Sequence, residues 1–328
     1  MTSRVRPAVA HAIGADGRLT VKVAASDVRL VPSSDDHVRV RTVDGTPLPE
    51  DYELETDADG LSIRQVNRFL GLTVALGTGR GRAIGLEIEV PSAAETTIQT
   101  ASGEVTATGL RGEQRYRSAS GDIRLERAGG RVTTETVAGD VSIGVEDTVE
   151  LIVKTVSGDV AIDGKRIERV RVTTTSGDIR LVSGLGRGPH AIETLSGDAV
   201  IATNSGIRIQ ARTVSGDLRS DLPHTSDGVM GRRSLTVGDG AVELSFRSVS
   251  GDLNVIDPAA PIIALRPLSP AAPPGPTHAA PDDSSATHAS SSPGDERRLE
   301  ILRALERGEI GIGAAGDQLA RLDEATDA

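Results

Sequence analysis

Apolar residues recur at every second position in short runs from the start of the chain: Leu19-Thr-Val21-Lys-Val23, Val28-Arg-Leu30 and Val38-Arg-Val40. Such alternation predicts strands with one buried face. Tyr52 to Thr56 and Leu61 to Val66 flank Asp57-Ala58-Asp59-Gly60, a turn signal because glycine accepts positive φ, so a hairpin or a bulged coil is expected there. Arg68 to Gly85 is punctuated by glycines and lacks both dinucleotide-binding spacing and a helical pattern, which predicts a loop. Strand character returns at Leu86-Glu-Ile88-Glu-Val90 and stops at Pro91, which cannot donate to a ladder.

From Ile98 onward the alternation is cut at regular intervals by one tripeptide. Its copies are Ser102-Gly103-Glu104, Ser120-Gly121-Asp122, Ala138-Gly139-Asp140, Ser157-Gly158-Asp159, Ser176-Gly177-Asp178, Ser196-Gly197-Asp198, Ser215-Gly216-Asp217 and Ser250-Gly251-Asp252. The glycines step by 18, 18, 19, 19, 20 and 19 residues and then by 35. Roughly 19 residues at about 3.3 Å each give a perimeter near 60 Å, which suits one flattened coil. An antiparallel meander and a parallel stack both fit; a near-identical turn at constant spacing favours the stack, with equivalent residues about 4.8 Å apart. The expected fold is therefore mainly β, a single-stranded β-solenoid over 15–257. The 35-residue step leaves room for an insertion at Leu222 to Arg233, with strands at Ser234 to Val237 and Ala241 to Phe246.

The flanks read differently. Residues 1–14 suggest a flexible tail. Residues 258–294 are rich in Pro, Ala and Ser and suggest a disordered tether. Residues 295–326 suggest a helical hairpin, with Leu299, Leu302 and Leu305 on one face and Gly308 as a stop. That face serves either as the inside of the hairpin or as a docking or oligomerising element.

Composition narrows the chemistry. The chain of 328 residues is 37% hydrophobic, and its rings are only Phe69, Phe246, Tyr52 and Tyr116, as a narrow core of aliphatic residues allows. A net charge of −11 opposes binding by phosphate neutralisation, so no nucleic-acid partner is expected. The lack of cysteine excludes disulfides and thiolate chemistry. No apolar run has the length of a signal peptide or a membrane span, which places the expected location in the cytoplasm.

The repeated Asp has two readings. Ser and Asp side chains accept hydrogen bonds from backbone amides at tight corners, a structural role. A column of carboxylates can also bind divalent cations, as acidic turns do in calcium-binding β-rolls. The Gly-Gly-x-Gly-x-Asp nonapeptide of those rolls is absent, and an exposed, salt-screened column repels by only about 1 kcal/mol per pair, so the structural role is preferred. The histidines His11, His37, His190, His224, His278 and His288 show no ligand spacing. No cofactor, metal or catalytic set is expected, and polysaccharide-active chemistry ranks below an interaction role. The alternative to a scaffold is a module that binds a divalent cation or an envelope glycan.

The Thr-x-Ser-Gly-Asp-Val repeats, the Leu-Glu-Ile-Glu-Val-Pro stretch before them and the amino-terminal Gly-Arg-Leu-Thr-Val-Lys-Val strand resemble the bacterial "putative adhesin" family of β-strand repeats, a domain of unknown function. The likeness spans about Gly17 to Val255. Leu299 to Leu322 resembles a short helical hairpin found beside that domain, but Gly311-Ile312-Gly313 and Gly316 replace the usual helix cap. Such changes weaken the second helix by a few kcal/mol at most. The resemblance implies a β-solenoid that presents surfaces for interaction, with roles in the cell envelope or stress response among relatives.

Overall fold

The computed structural model describes residues 9–69, 72–74, 84–229 and 232–258. The tether beyond Pro258 and the hairpin expected at 295–326 lie outside the described residues.

Most of the chain forms two walls of strands around one aliphatic core. The first wall holds the strand after each Ser-Gly-Asp corner, and the second wall holds the strand before it. Strands are stacked in parallel: Val141 pairs with Ile123 on one side and Val160 on the other, and Leu151 pairs with Val132 and Val170. Three long strands, Ile123–Ala138, Val141–Ser157 and Val160–Ser176, run from the first wall to the second through register irregularities. The period-two pattern decides which side chains face inward. Ile123, Leu125, Val141, Ile143, Val160 and Ile162 are buried from the first wall, and Val132, Leu151, Val153, Val170 and Val172 from the second. Each fully buried aliphatic side chain contributes about 1.5–3 kcal/mol.

The changing glycine step has a local cause. The step from Leu125 to Val132 is seven positions, from Ile143 to Leu151 and from Ile162 to Val170 eight, and from Leu181 to His190 nine. These residues bracket the second corner, opposite Ser-Gly-Asp. The second corner therefore absorbs the length variation while the glycine corner stays constant. It is also where Arg127 takes φ 51°, the one non-glycine with positive φ among the described residues.

Both ends depart from the simple repeat. At the amino-terminal end, Val9–Ala12, within the stretch expected as a tail, is a strand antiparallel to His37–Thr42. Tyr52–Asp57 and Gly60–Gln65 form the expected hairpin, and Gly60–Gln65 joins Arg18–Val23 in parallel. Within the stretch read as loop, Asn67–Phe69 and Leu72–Val74 pair antiparallel.

The carboxy-terminal end corrects the expectation that each rung lies on the one before it. His190–Ser196 pairs with Val242–Ser250, which pairs in turn with Ile207–Ser215. The last rung in sequence is thus inserted between its two predecessors. The residues of the 35-residue step include an antiparallel hairpin, His224–Val229 and Arg232–Val237, whose second strand covers the outer edge of Ile207–Ser215. An edge strand carries unpaired amides and carbonyls, and this hairpin takes them up.

Candidate interaction surface

The Ser-Gly-Asp corners align into one column, and hydrogen bonds show what their side chains do. The Oδ1 of each Asp accepts the backbone N–H of the Asp on the next rung: Asp122 from Asp140 at 2.9 Å, Asp140 from Asp159 at 2.8 Å, Asp159 from Asp178 at 2.9 Å and Asp178 from Asp198 at 2.9 Å. The chain of bonds continues from Asp198 to Asp252 and from Asp252 to Asp217, each at 2.8 Å, and so reproduces the exchanged order of the last rungs. Two backbone bonds brace the interval between Gly158 and Gly177. The N–H of Gly158 donates to the carbonyl of Ser176, and that of Val160 to the carbonyl of Asp178.

Glycine is required here for two reasons. Gly139, Gly158, Gly177, Gly197, Gly251 and Gly216 have φ between 128° and 158°, where side chains are strained. A Cβ on Gly158 would also overlap the carbonyl oxygen of Gly139 below it, and the same holds up the column. The first two corners turn differently. There the N–H of Gly103 donates to Thr100 Oγ1 at 2.9 Å, and that of Gly121 to Ser118 Oγ at 2.7 Å. Glu104 is too long for the Asp role and turns to Arg124 instead, at 3.2 Å.

The column contains one member that the repeat pattern missed. Asp27 Oδ1 accepts the N–H of Glu104 at 2.9 Å, so Ala25-Ser26-Asp27 is a corner without its glycine. Ser26 is buried and hydrogen-bonds the hydroxyl of Tyr52. The only signal in the sequence is Asp27 immediately before a strand.

Outside the column, polar groups are engaged separately. The buried His190 bonds through Nε2 to the carbonyl of Gly186 at 2.9 Å, and burial holds its imidazole below the usual range. His11 meets the carbonyl of Asp57 at 2.8 Å, and His224 that of Leu222 at 2.9 Å. Asp35, Asp36 and His37 bring three ligand-type atoms within 4.8 Å of one another. Arg39 already holds Asp35, at 3.0 Å from Oδ1, and that bond together with the His37 amide keeps its carboxyl far below the carboxylate range. On the outer side of the first wall, small residues Ser142, Gly144 and Ala161 floor an open depression of about 320 Å3 between Arg124, Arg127 and Arg180. Glu126 and Asp163 share its rim, so it selects no single sign of ligand charge.

Tyr116 and Gln114 form a buried polar pair in the core. The Tyr116 hydroxyl donates to Gln114 Oε1 at 2.9 Å, and Gln114 Nε2 donates to the carbonyls of Gly129 at 2.9 Å and Leu110 at 3.1 Å. Burial raises the phenol's pKa, so it stays protonated. These groups satisfy one another and leave nothing for a substrate.

Among the described residues, no helix is long and apolar enough to cross a membrane. No curated protein matches the chain. Solved structures with a similar course include a "putative adhesin" from Bacteroides fragilis, with 10% identity, TM-score 0.42, and coverage of 76% of this chain and 96% of that one. A "putative adhesin" from Parabacteroides distasonis gives 11% identity, TM-score 0.41 and the same coverage of both chains. A "putative lipid binding protein" from Parabacteroides distasonis gives 13% identity, TM-score 0.39, and coverage of 76% and 96%. Likeness at this level carries no argument about activity. Residues 17–256 fit the Toastrack DUF4097 family, and the chain belongs to it.

Proposed function

We propose that this protein is a non-enzymatic interaction scaffold, a β-solenoid of roughly 19-residue coils carrying a helical hairpin at 295–326 on a tether. The hairpin recruits a protein partner or a second copy, and the setting is a cytoplasmic process linked to the cell envelope or to stress. One observation carries the reading: six of the repeated carboxylates, Asp122, Asp140, Asp159, Asp178, Asp198 and Asp252, each accept a backbone amide of the next rung. Groups committed to holding the stack together are poor candidates for an acid, a base or a flexible cation ligand set. The function then belongs to surfaces.

Deletion of residues 295–328 tests the hairpin's part. The account expects a lower mass by light scattering or the loss of a captured partner. An unchanged mass together with unchanged capture would remove the hairpin from the account.

A further inference from the structure

The described chain enters the stack and leaves it in different ways. It enters through Val9–Ala12, which pairs with His37–Thr42 and with no other described strand. It leaves through Leu253–Ile256, which is paired on both sides, with Ala199–Ala202 and with Leu218–Ser220. The other strand of that rung, Val242–Ser250, is likewise held between His190–Ser196 and Ile207–Ser215. Leu218–Ser220, at the outer end of the first wall, has Leu253–Ile256 as its one described neighbour. Backbone bonds secure both sides of the exit strand. Towards the body of the stack, the carbonyl of Asp252 accepts the N–H of Ala199 at 2.8 Å and that of Ile256 the N–H of Thr203 at 3.3 Å. On the outer side, Leu253 N–H donates to the carbonyl of Asp217 at 2.8 Å and Asp221 N–H to the carbonyl of Val255 at 3.0 Å. Leu244, Phe246, Leu253 and Val255 are buried in the core, whereas Leu218 of the outermost strand is only half-buried.

We propose that the exchange of the last rungs makes the exit rung a mechanical anchor. A pull on the chain beyond Pro258 is taken by a rung clamped between two others, so the stack resists unravelling from its carboxy-terminal end. In a stack that kept sequence order, the same pull would fall on the outermost rung, with one ladder to break in place of two. Chain ends ordinarily open at little cost because they have few partners. Here the sequence end of the repeat is spatially interior, and the low-cost end is the outermost strand, which the pull does not reach directly. A carboxy-terminal segment that holds a partner transmits that partner's motion to Pro258. The inference goes beyond the recruitment proposed above, and its test needs no partner.

The chain has no cysteine, so handles for single-molecule pulling can be attached at chosen sites. Two full-length variants share Ser157→Cys on the glycine corner. The second handle is Pro258→Cys, just past the exit strand, in one, and Asp221→Cys, just past the outermost strand, in the other. All three sites are exposed. The second handles stand at the far end of the first wall, so both pulls run along the strands from points about one rung, ~4.8 Å, apart. Forced unfolding reads the unfolding barrier. The first rupture should need about twice the force from Pro258→Cys as from Asp221→Cys, in proportion to the ladders broken. An equal or smaller force from Pro258→Cys overturns the proposal. Hydrogen exchange on the parent chain checks it without handles. The slowest amide of Leu253–Ile256 should exchange many-fold more slowly than the slowest of Leu218–Ser220. Comparable rates would show that the exit rung opens as readily as the edge, and would overturn the proposal as well.

Discussion

At the scale of the residue, the corner glycines carry the sharpest constraint. Gly158 has φ 143° and lies against the carbonyl of Gly139, so Gly158→Ala meets both strain and overlap. Strain of this kind costs about 1–3 kcal/mol. Chemical denaturation should show at least that loss for Gly158→Ala, and only a few tenths for an alanine at the exposed Thr175. His190 supplies a second test. Its imidazole is held neutral by burial, so the unfolded chain takes up a proton that the fold resists. Stability from this group is complete above a pH of about 6.5 and falls as the pH drops below it. His190→Leu, which copies its neighbour Leu244, should lose less stability between pH 7.5 and 5.5 than the parent does. Equal losses would show that His190 contributes nothing to the slope.

Elements were legible to different degrees. Alternation at Val141-Ser-Ile143 and a turn at Gly158 are written in side-chain type, and local backbone physics suffices to read them. The exchange of the final rungs is not written there. Gly216 and Gly251 carry the same Ser-Gly-Asp mark, and pairing between strands depends on which rung the chain returns to, which a repeated mark cannot encode. The Asp27 corner was missed because its glycine is absent, and the ladder role of Asp because the amide it binds lies a whole rung away. The insertion expected at Leu222 to Arg233 and the strand expected at Ser234 to Val237 come together as one hairpin, His224–Val229 with Arg232–Val237, whose second strand covers the edge of Ile207–Ser215. Replacing His224–Val237 by a short linker should expose that edge and produce aggregates on size exclusion, since open edges template pairing. A soluble, unaggregated product would show that the edge needs no cover.

At the scale of the whole molecule, one constant corner, one variable corner and two walls divide the labour. The constant corner sets register through Asp-to-amide bonds, the walls supply the core, and surface features are left to the variable corner and to outward positions. This division is the central claim, because it assigns the acidic repeat to structure and recognition to surfaces. Thermal melting with calcium and with a chelator tests it most directly, comparing the parent with a variant bearing Asp140→Asn, Asp159→Asn, Asp178→Asn and Asp198→Asn, in which each side chain keeps an acceptor oxygen and loses its charge. The account predicts that each protein melts at the same temperature in calcium and in chelator, with the variant within a few degrees of the parent. A parent midpoint raised by calcium, with the rise abolished in the variant, would make the column a cation site and contradict the account.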